Sequence, residues 1–194
     1  MRSFLIAVAL IGICGCASRP YTNLRRPIYM VADQSFWFGC DEEPRGYDAC
    51  RAFRVKQIYD GVEQWFGYLD STVRPFVAVV YSEEQVPPST EKSVIYLRIE
   101  LGFCGDRSAA CYAWSTDSAS SGPEIVFESA REITANLAAH EFGHALGRDD
   151  NDVPNGVHSI MSYTLISPVT PLDFEMVCSK HPECQDMKRK RKKN

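Results

Sequence analysis

The sequence predicts a single α+β domain, and three observations carry that reading. Short apolar runs bounded by turn residues recur between residues 27 and 127 and read as strands. Two segments, around residues 55 and 137, repeat apolar residues at intervals of three and four, the period of a helix buried on one face. The elements fall in the order strand, helix, four strands, helix, turn, helix. About 170 residues remain once the N-terminal segment is set aside, enough for one domain with a real core.

Pro27 to Ala32 is the candidate first strand. Asp48 stands where it could cap the helix that follows. Val55, Ile58, Tyr59, Val62, Trp65, Phe66 and Leu69 then recur at helical spacing and are read as core. Phe76 to Tyr81, after Pro75, reads as a buried strand, and Val94 to Ile99 alternates like another. The fourth and fifth strands come next. Ser129-Ala130-Arg131-Glu132 has the form of a capping box, and no Pro or Gly interrupts residues 130 to 142, so the second helix is expected to begin there. Thr170-Pro171-Leu172-Asp173 is a second capping box, with Pro at the first helical position, and opens a short helix towards Cys178.

The chemistry is concentrated between residues 140 and 163. His140-Glu141-Phe142-Gly143-His144 is an H-E-x-x-H motif. Residues four apart lie one above the other on a helix, so the two imidazoles can reach one ion. Ile133, Leu137, His140 and His144 follow one another at spacings of 4, 3 and 4, so the histidines continue an apolar stripe. Glu141 lies about 100° further round. That puts it beside the ion, where a general base belongs. Gly147 is expected to end the helix in a left-handed conformation and bring Asp150 back to the same point. Two histidines, one carboxylate and an open position form a catalytic rather than a structural zinc set. Asp149, Asp152 and His158 compete with Asp150 for third ligand.

The segment from Ala109 to Tyr163 resembles the catalytic core of the metzincin zinc proteases, most closely a small matrixin-type domain. H-E-x-x-H, Gly147, Asp150 and the turn Ser159-Ile160-Met161-Ser162-Tyr163 carry the likeness. The resemblance implies a five-stranded mixed sheet, an active-site helix, a Met-turn and a short C-terminal helix. It makes Cys111-Tyr112-Ala113-Trp114 the edge strand along a substrate, and Gly122 to Phe127 the next strand. Met161 would form a hydrophobic floor under the metal, and Tyr163 would approach the zinc and stabilise an oxyanion. Leu165, in the segment Thr164 to Pro168, would wall an apolar pocket. The implied activity is zinc-dependent endopeptidase cleavage, with Glu141 as general base and one catalytic Zn²⁺. The chain departs from the family in its third ligand: most metzincins use His, and Asp150 is a pattern shared with snapalysin-like proteases. It also has only four histidines, too few for the second, structural zinc of matrixins. Asp41-Glu42-Glu43 and Asp149 to Asp152 offer oxygens for Ca²⁺, but neither has an EF-hand pattern. Two other readings stay open: a non-catalytic surface binding module of the same fold, and a zinc hydrolase of cell-wall peptides.

Residues 1–18 read as a secretory signal, with Arg2 followed by an apolar run from Phe4 to Ile13 that is too short to span a membrane. Ile13-Cys14-Gly15-Cys16 resembles a bacterial lipobox, which implies lipidation of Cys16; ordinary cleavage near Ala17 is the alternative. Either route exports the domain, residues 19–187, to the cell envelope or the medium. Six cysteines then remain, an even number that suits disulfides in an exported chain. They fall into local pairs, Cys40–Cys50, Cys104–Cys111 and Cys178–Cys184. A second zinc site built from Cys178, His181 and Cys184 is the alternative for the last pair. Residues 188–194 form a basic tail, expected to be disordered. Without that tail and Arg2, 14 Lys and Arg face 25 Asp and Glu. So acidic a body argues against nucleic-acid binding. The expected partners are a protein or peptide substrate and a membrane lipid anchor, with the domain a monomer.

Overall fold

The structure is a computed structural model that describes residues 22–70, 72, 74–89, 92–105, 108–115, 122–150, 158–162 and 167–184. The signal segment with Cys16, the residues Asp152, Tyr163 and Leu165, and the basic tail lie outside the described residues.

Five strands form one mixed sheet in the order β2-β1-β3-β5-β4. They are β1 (Ile28–Ala32), β2 (Val77–Val80), β3 (Ser93–Ile99), β4 (Ala110–Ser115) and β5 (Gly122–Phe127). The first four in that order run parallel, and β4 returns antiparallel to β5, pairing Tyr112 with Ile125. Parallel neighbours need crossovers, and the long helix α1 (Tyr47–Phe66) makes the one from β1 to β2. Two more helices follow the sheet, α2 (Ala135–Ala145) and α3 (Pro171–Lys180).

One face of the sheet carries the main core. Ile28, Met30, Ile95, Leu97, Ile125 and Phe127 pack there against Ile58, Val62 and Trp65 of α1 and Leu137, Phe142 and Ala145 of α2. The two helices run side by side in the same direction. Gln57 accepts the Ala135 N–H at 2.9 Å, and the Trp65 indole N–H donates to the Ala139 carbonyl at 2.7 Å. Gly61 sits at the crossing, where an added Cβ would stand 2.7 Å from the Ala135 carbonyl oxygen and 2.8 Å from the Ala139 nitrogen.

Three expectations need correction. Ser129 makes no side-chain cap; Ala130–Glu132 is a short 3-10 turn, and α2 begins five residues later. Its cap is Thr134, whose hydroxyl accepts the Leu137 N–H at 3.3 Å. The delay carries Ile133 into the core, where it is buried. Asp48 lies in the first turn of α1 but does not cap it; Gly46 holds that position at φ 91°. The strand read as buried, β2, is an edge strand with only β1 beside it among the described residues, and Phe76 and Tyr81 at its ends are exposed. The Tyr59 hydroxyl covers part of that open edge by accepting the Val79 N–H at 3.0 Å.

The three local disulfides form as read: Cys40–Cys50, Cys104–Cys111 and Cys178–Cys184, with Cα separations of 5.5, 5.6 and 5.0 Å. They suggest an oxidising compartment. Among the described residues no helix is long and apolar enough to cross a membrane.

Candidate metal centre

The site is built on α2 and on the way α2 stops. Gly147 takes φ 82°, as only glycine does cheaply. Its N–H bonds the His144 carbonyl at 2.9 Å, and the Arg148 N–H bonds the Gly143 carbonyl at 2.9 Å. These are the two reversed bonds of a Schellman C-cap. The chain therefore folds back over the helix end and carries Asp150 onto the histidines. Its Oδ1 lies 3.3 Å from His140 Nε2 and 3.5 Å from His144 Nε2. His158, a competing candidate for third ligand, is exposed.

Backbone carbonyls set the protonation of both rings. His140 Nδ1 lies 2.9 Å from the Ile160 carbonyl oxygen, and His144 Nδ1 lies 2.9 Å from that of Arg148. A carbonyl can only accept, so each Nδ1 carries the hydrogen, and in the neutral ring each Nε2 presents a lone pair. Two lone pairs thus face the Asp150 carboxylate. That oxygen is buried and has no hydrogen-bond partner among the described residues. Three electron-pair donors converging on one point call for a cation, and His140, Glu141 and His144 bring ligand atoms within 4.8 Å of one another. The donor set fits a divalent metal ion.

Charge follows the same geometry. Burial lowers the His140 pKa, but Asp150, Glu141 and the Ile160 carbonyl outweigh it, so the net shift is upward. Burial prevails at His144, which is shifted down. The Asp150 carboxyl ends below its ordinary value, because the two histidines overcome its burial. Glu141 is 2% exposed, and desolvation pushes its carboxyl up to about 7. Its Oε1 stands 4.0 Å from His140 Nε2, beside the convergence point.

Gly143 allows a floor to be built beneath the histidines. A Cβ there would meet Met161 Sδ at 2.5 Å and the Trp65 ring at 2.8 Å. Met161 and Trp65 are both fully buried. The turn Ser159–Ser162 therefore supplies two things at once: the Met161 side chain under the helix and the Ile160 carbonyl that orients His140.

The edge strand β4 borders the site. The Tyr112 ring stacks on the His144 imidazole, centroids 6.4 Å apart, and its backbone N–H hydrogen-bonds the Glu141 carboxylate. The Glu128 N–H bonds the Ala109 carbonyl at 2.9 Å. Alternation from that pair turns the backbone groups of Ala113 towards β5 and those of Tyr112 and Trp114 towards the open edge. Trp114 is exposed.

Sequence reading missed Arg148, and it saw Asp173 only as a helix cap and Trp65 only as core. The first two join the ligand loop to the Met161 turn, and nothing in their local spacing signals it. The second-zinc alternative is overturned, because Cys178 and Cys184 are joined and His181 Nε2 bonds the Leu146 carbonyl at 3.0 Å. No protein-family model matches this chain, and comparison with curated proteins gives no match. The α+β fold, its five-stranded mixed sheet and the H-E-x-x-H helix are compatible with a zincin-like fold.

Proposed function

We propose that this chain is a zinc-dependent endopeptidase of the metzincin type. One observation carries the reading: three lone-pair donors converge beside a buried carboxyl at the open edge of a sheet. His140, His144 and Asp150 would hold the ion, the last in place of a third histidine. A zinc ion bound there would supply Lewis acidity and lower the pKa of water towards 7.

The chain's own residues do the rest. Glu141 is buried beside the convergence point, where its carboxylate can accept a proton from the attacking water and return one to the leaving amine. The Tyr112 N–H holds the carboxylate in place for that exchange. An extended peptide would pair along the outward-facing edge of β4 around Trp114. Asp150 adds negative charge, which makes the ion a weaker Lewis acid than a set of three neutral histidines would. Tyr163 and Leu165 keep their proposed roles at the oxyanion and in the side-chain pocket, and Cys16 its role as a lipid anchor in the cell envelope. Any bound Ca²⁺ would be additional to this site.

The test is cleavage of a diverse peptide mixture by the disulfide-bonded protein, with products read by mass spectrometry and zinc content measured on the same sample. Cuts that disappear in Glu141→Ala and in chelated protein, with zinc retained by the variant, are the expected result. Equal cleavage by Glu141→Ala would exclude Glu141 as the base.

A further inference from the structure

We infer that the buried pair Arg148–Asp173 is the positioning device of the metal centre, holding in register the two carbonyls that orient His140 and His144; this rests on those histidines binding a divalent metal. The side chains are 0% and 1% exposed, and Arg148 Nη2 lies 3.6 Å from Asp173 Oδ1.

Each partner reaches one histidine through the backbone of a single residue. The Arg148 carbonyl accepts the His144 Nδ1–H at 2.9 Å, and its guanidinium turns back towards α3, where Nη1 meets Met176 Sδ at 3.0 Å. Asp173 works on the other side. Its Oδ1 accepts the Ser159 hydroxyl, and its Oδ2 receives the Ile160 N–H at 3.4 Å. The carbonyl of that same Ile160 orients His140 at 2.9 Å. The Ser159 hydroxyl in turn accepts the Met161 N–H at 3.0 Å. Asp173 also receives the Thr170 N–H at 2.9 Å and hydroxyl at 2.7 Å, which fixes the carboxylate to the start of α3. The ion pair is thus the direct bridge between the loop behind one ligand and the turn behind the other.

Stability alone gives little reason for such a pair. Burying two charges carries a desolvation cost, and an apolar pair of similar volume often serves the fold as well. Capping α3 needs only the Thr170 contacts, which an exposed Asp could make. Orientation of ligand histidines is a different matter. The groups that hold the far nitrogen set the direction of the near one, and their loss typically costs 10–100-fold in metal affinity.

The experiment uses the full, disulfide-bonded chain and three variants, Asp173→Asn, Arg148→Met and Arg148→Lys. Zinc affinity is read by competition with a chromophoric chelator, the Co²⁺-substituted site by its visible absorption, and the metal-free fold by near-ultraviolet circular dichroism. Asp173→Asn and Arg148→Met are expected to fold, to bind zinc 10–100-fold more weakly and to shift the Co²⁺ bands. Arg148→Lys, which keeps the charge, should recover part of the loss. Folded variants with affinity within about twofold of wild type and unmoved Co²⁺ bands would overturn the inference, leaving a pair that serves the fold alone. If Asp173→Asn does not fold, the two Arg148 variants decide the matter by the same readings. A wild-type chain that binds neither ion defeats the metal reading, and this inference with it.

Discussion

The two sides of α2 are held by different forces. Towards α1 the contact is close and mainly apolar, with hydrogen bonds of Gln57, Gln64 and Trp65 along it: Gly61 lets the backbones approach, and Trp65 fills the space below Gly143. Towards the ligand loop and α3 the contact is polar and directional. His144 bonds a carbonyl of the loop, His140 one of the Met161 turn, and Lys180 and His181 of α3's C-terminal end donate to the Gly147 and Leu146 carbonyls. Apolar contact is strong but tolerates small rotations; hydrogen bonds are weaker per contact but fix an angle. One side of the helix therefore supplies stability and the other supplies geometry, and the candidate metal ligands lie on the side that supplies geometry.

That division can be broken by experiment. The largest effect is expected from Trp65→Ala, which empties a fully buried site and removes the bond to the Ala139 carbonyl. It should destabilise the fold by about 3–5 kcal/mol in urea unfolding. A loss under about 1 kcal/mol would mean that α1 is not the stabilising side.

The next effect depends on pH. Burial raises the Glu141 carboxyl from 4.5 to about 7 in the metal-free protein. The folded state then holds a proton that the unfolded chain releases earlier, so this group lowers stability as pH rises from about 4.5 to about 7. Below that window it contributes nothing. Glu141→Gln does not titrate, so in chelator its melting point should gain on wild type between pH 5 and pH 8, by the equivalent of at most about 3 kcal/mol. A gain that is flat or reversed with pH would show that the carboxyl is not held in a desolvated place.

Gly61→Ala comes third. The new methyl would press on the backbone at Ala135 and Ala139, which cannot swing aside. About 1–3 kcal/mol should be lost, with zinc affinity of the folded protein little changed. A variant that keeps its stability but loses metal would reverse the proposed roles of the two sides. The smallest effect compares two caps. Thr134→Ala should cost about 1 kcal/mol and Ser129→Ala close to none, because only Thr134 accepts a helix N–H. Equal costs would return the helix start to residue 130.

Much of the site was legible because its signals are local. H-E-x-x-H and Gly147 act over one or two helical turns, and their spacing alone determines that two imidazoles share a face and that the chain reverses after them. Asp150 was one of four candidates in the sequence, and the folded loop is what brings it to the two histidines. The disulfides pair neighbours, and the Thr170 box works within one turn. The start of α2 was misread because Ser129-x-x-Glu132 has the right letters, while the burial of Ile133 favours a start at Thr134.

By itself, then, the sequence determined the order of the elements, the H-E-x-x-H helix with its C-cap, and the local pairing of the cysteines, since each rests on residues close in the chain. The tertiary structure alone decided the strand order β2-β1-β3-β5-β4, the edge position of β2, the close crossing at Gly61 and the bridge from Arg148 to Asp173. Those depend on which distant surfaces meet. No local spacing encodes that choice, because it is made by packing apolar area together and by satisfying the polar groups that packing buries.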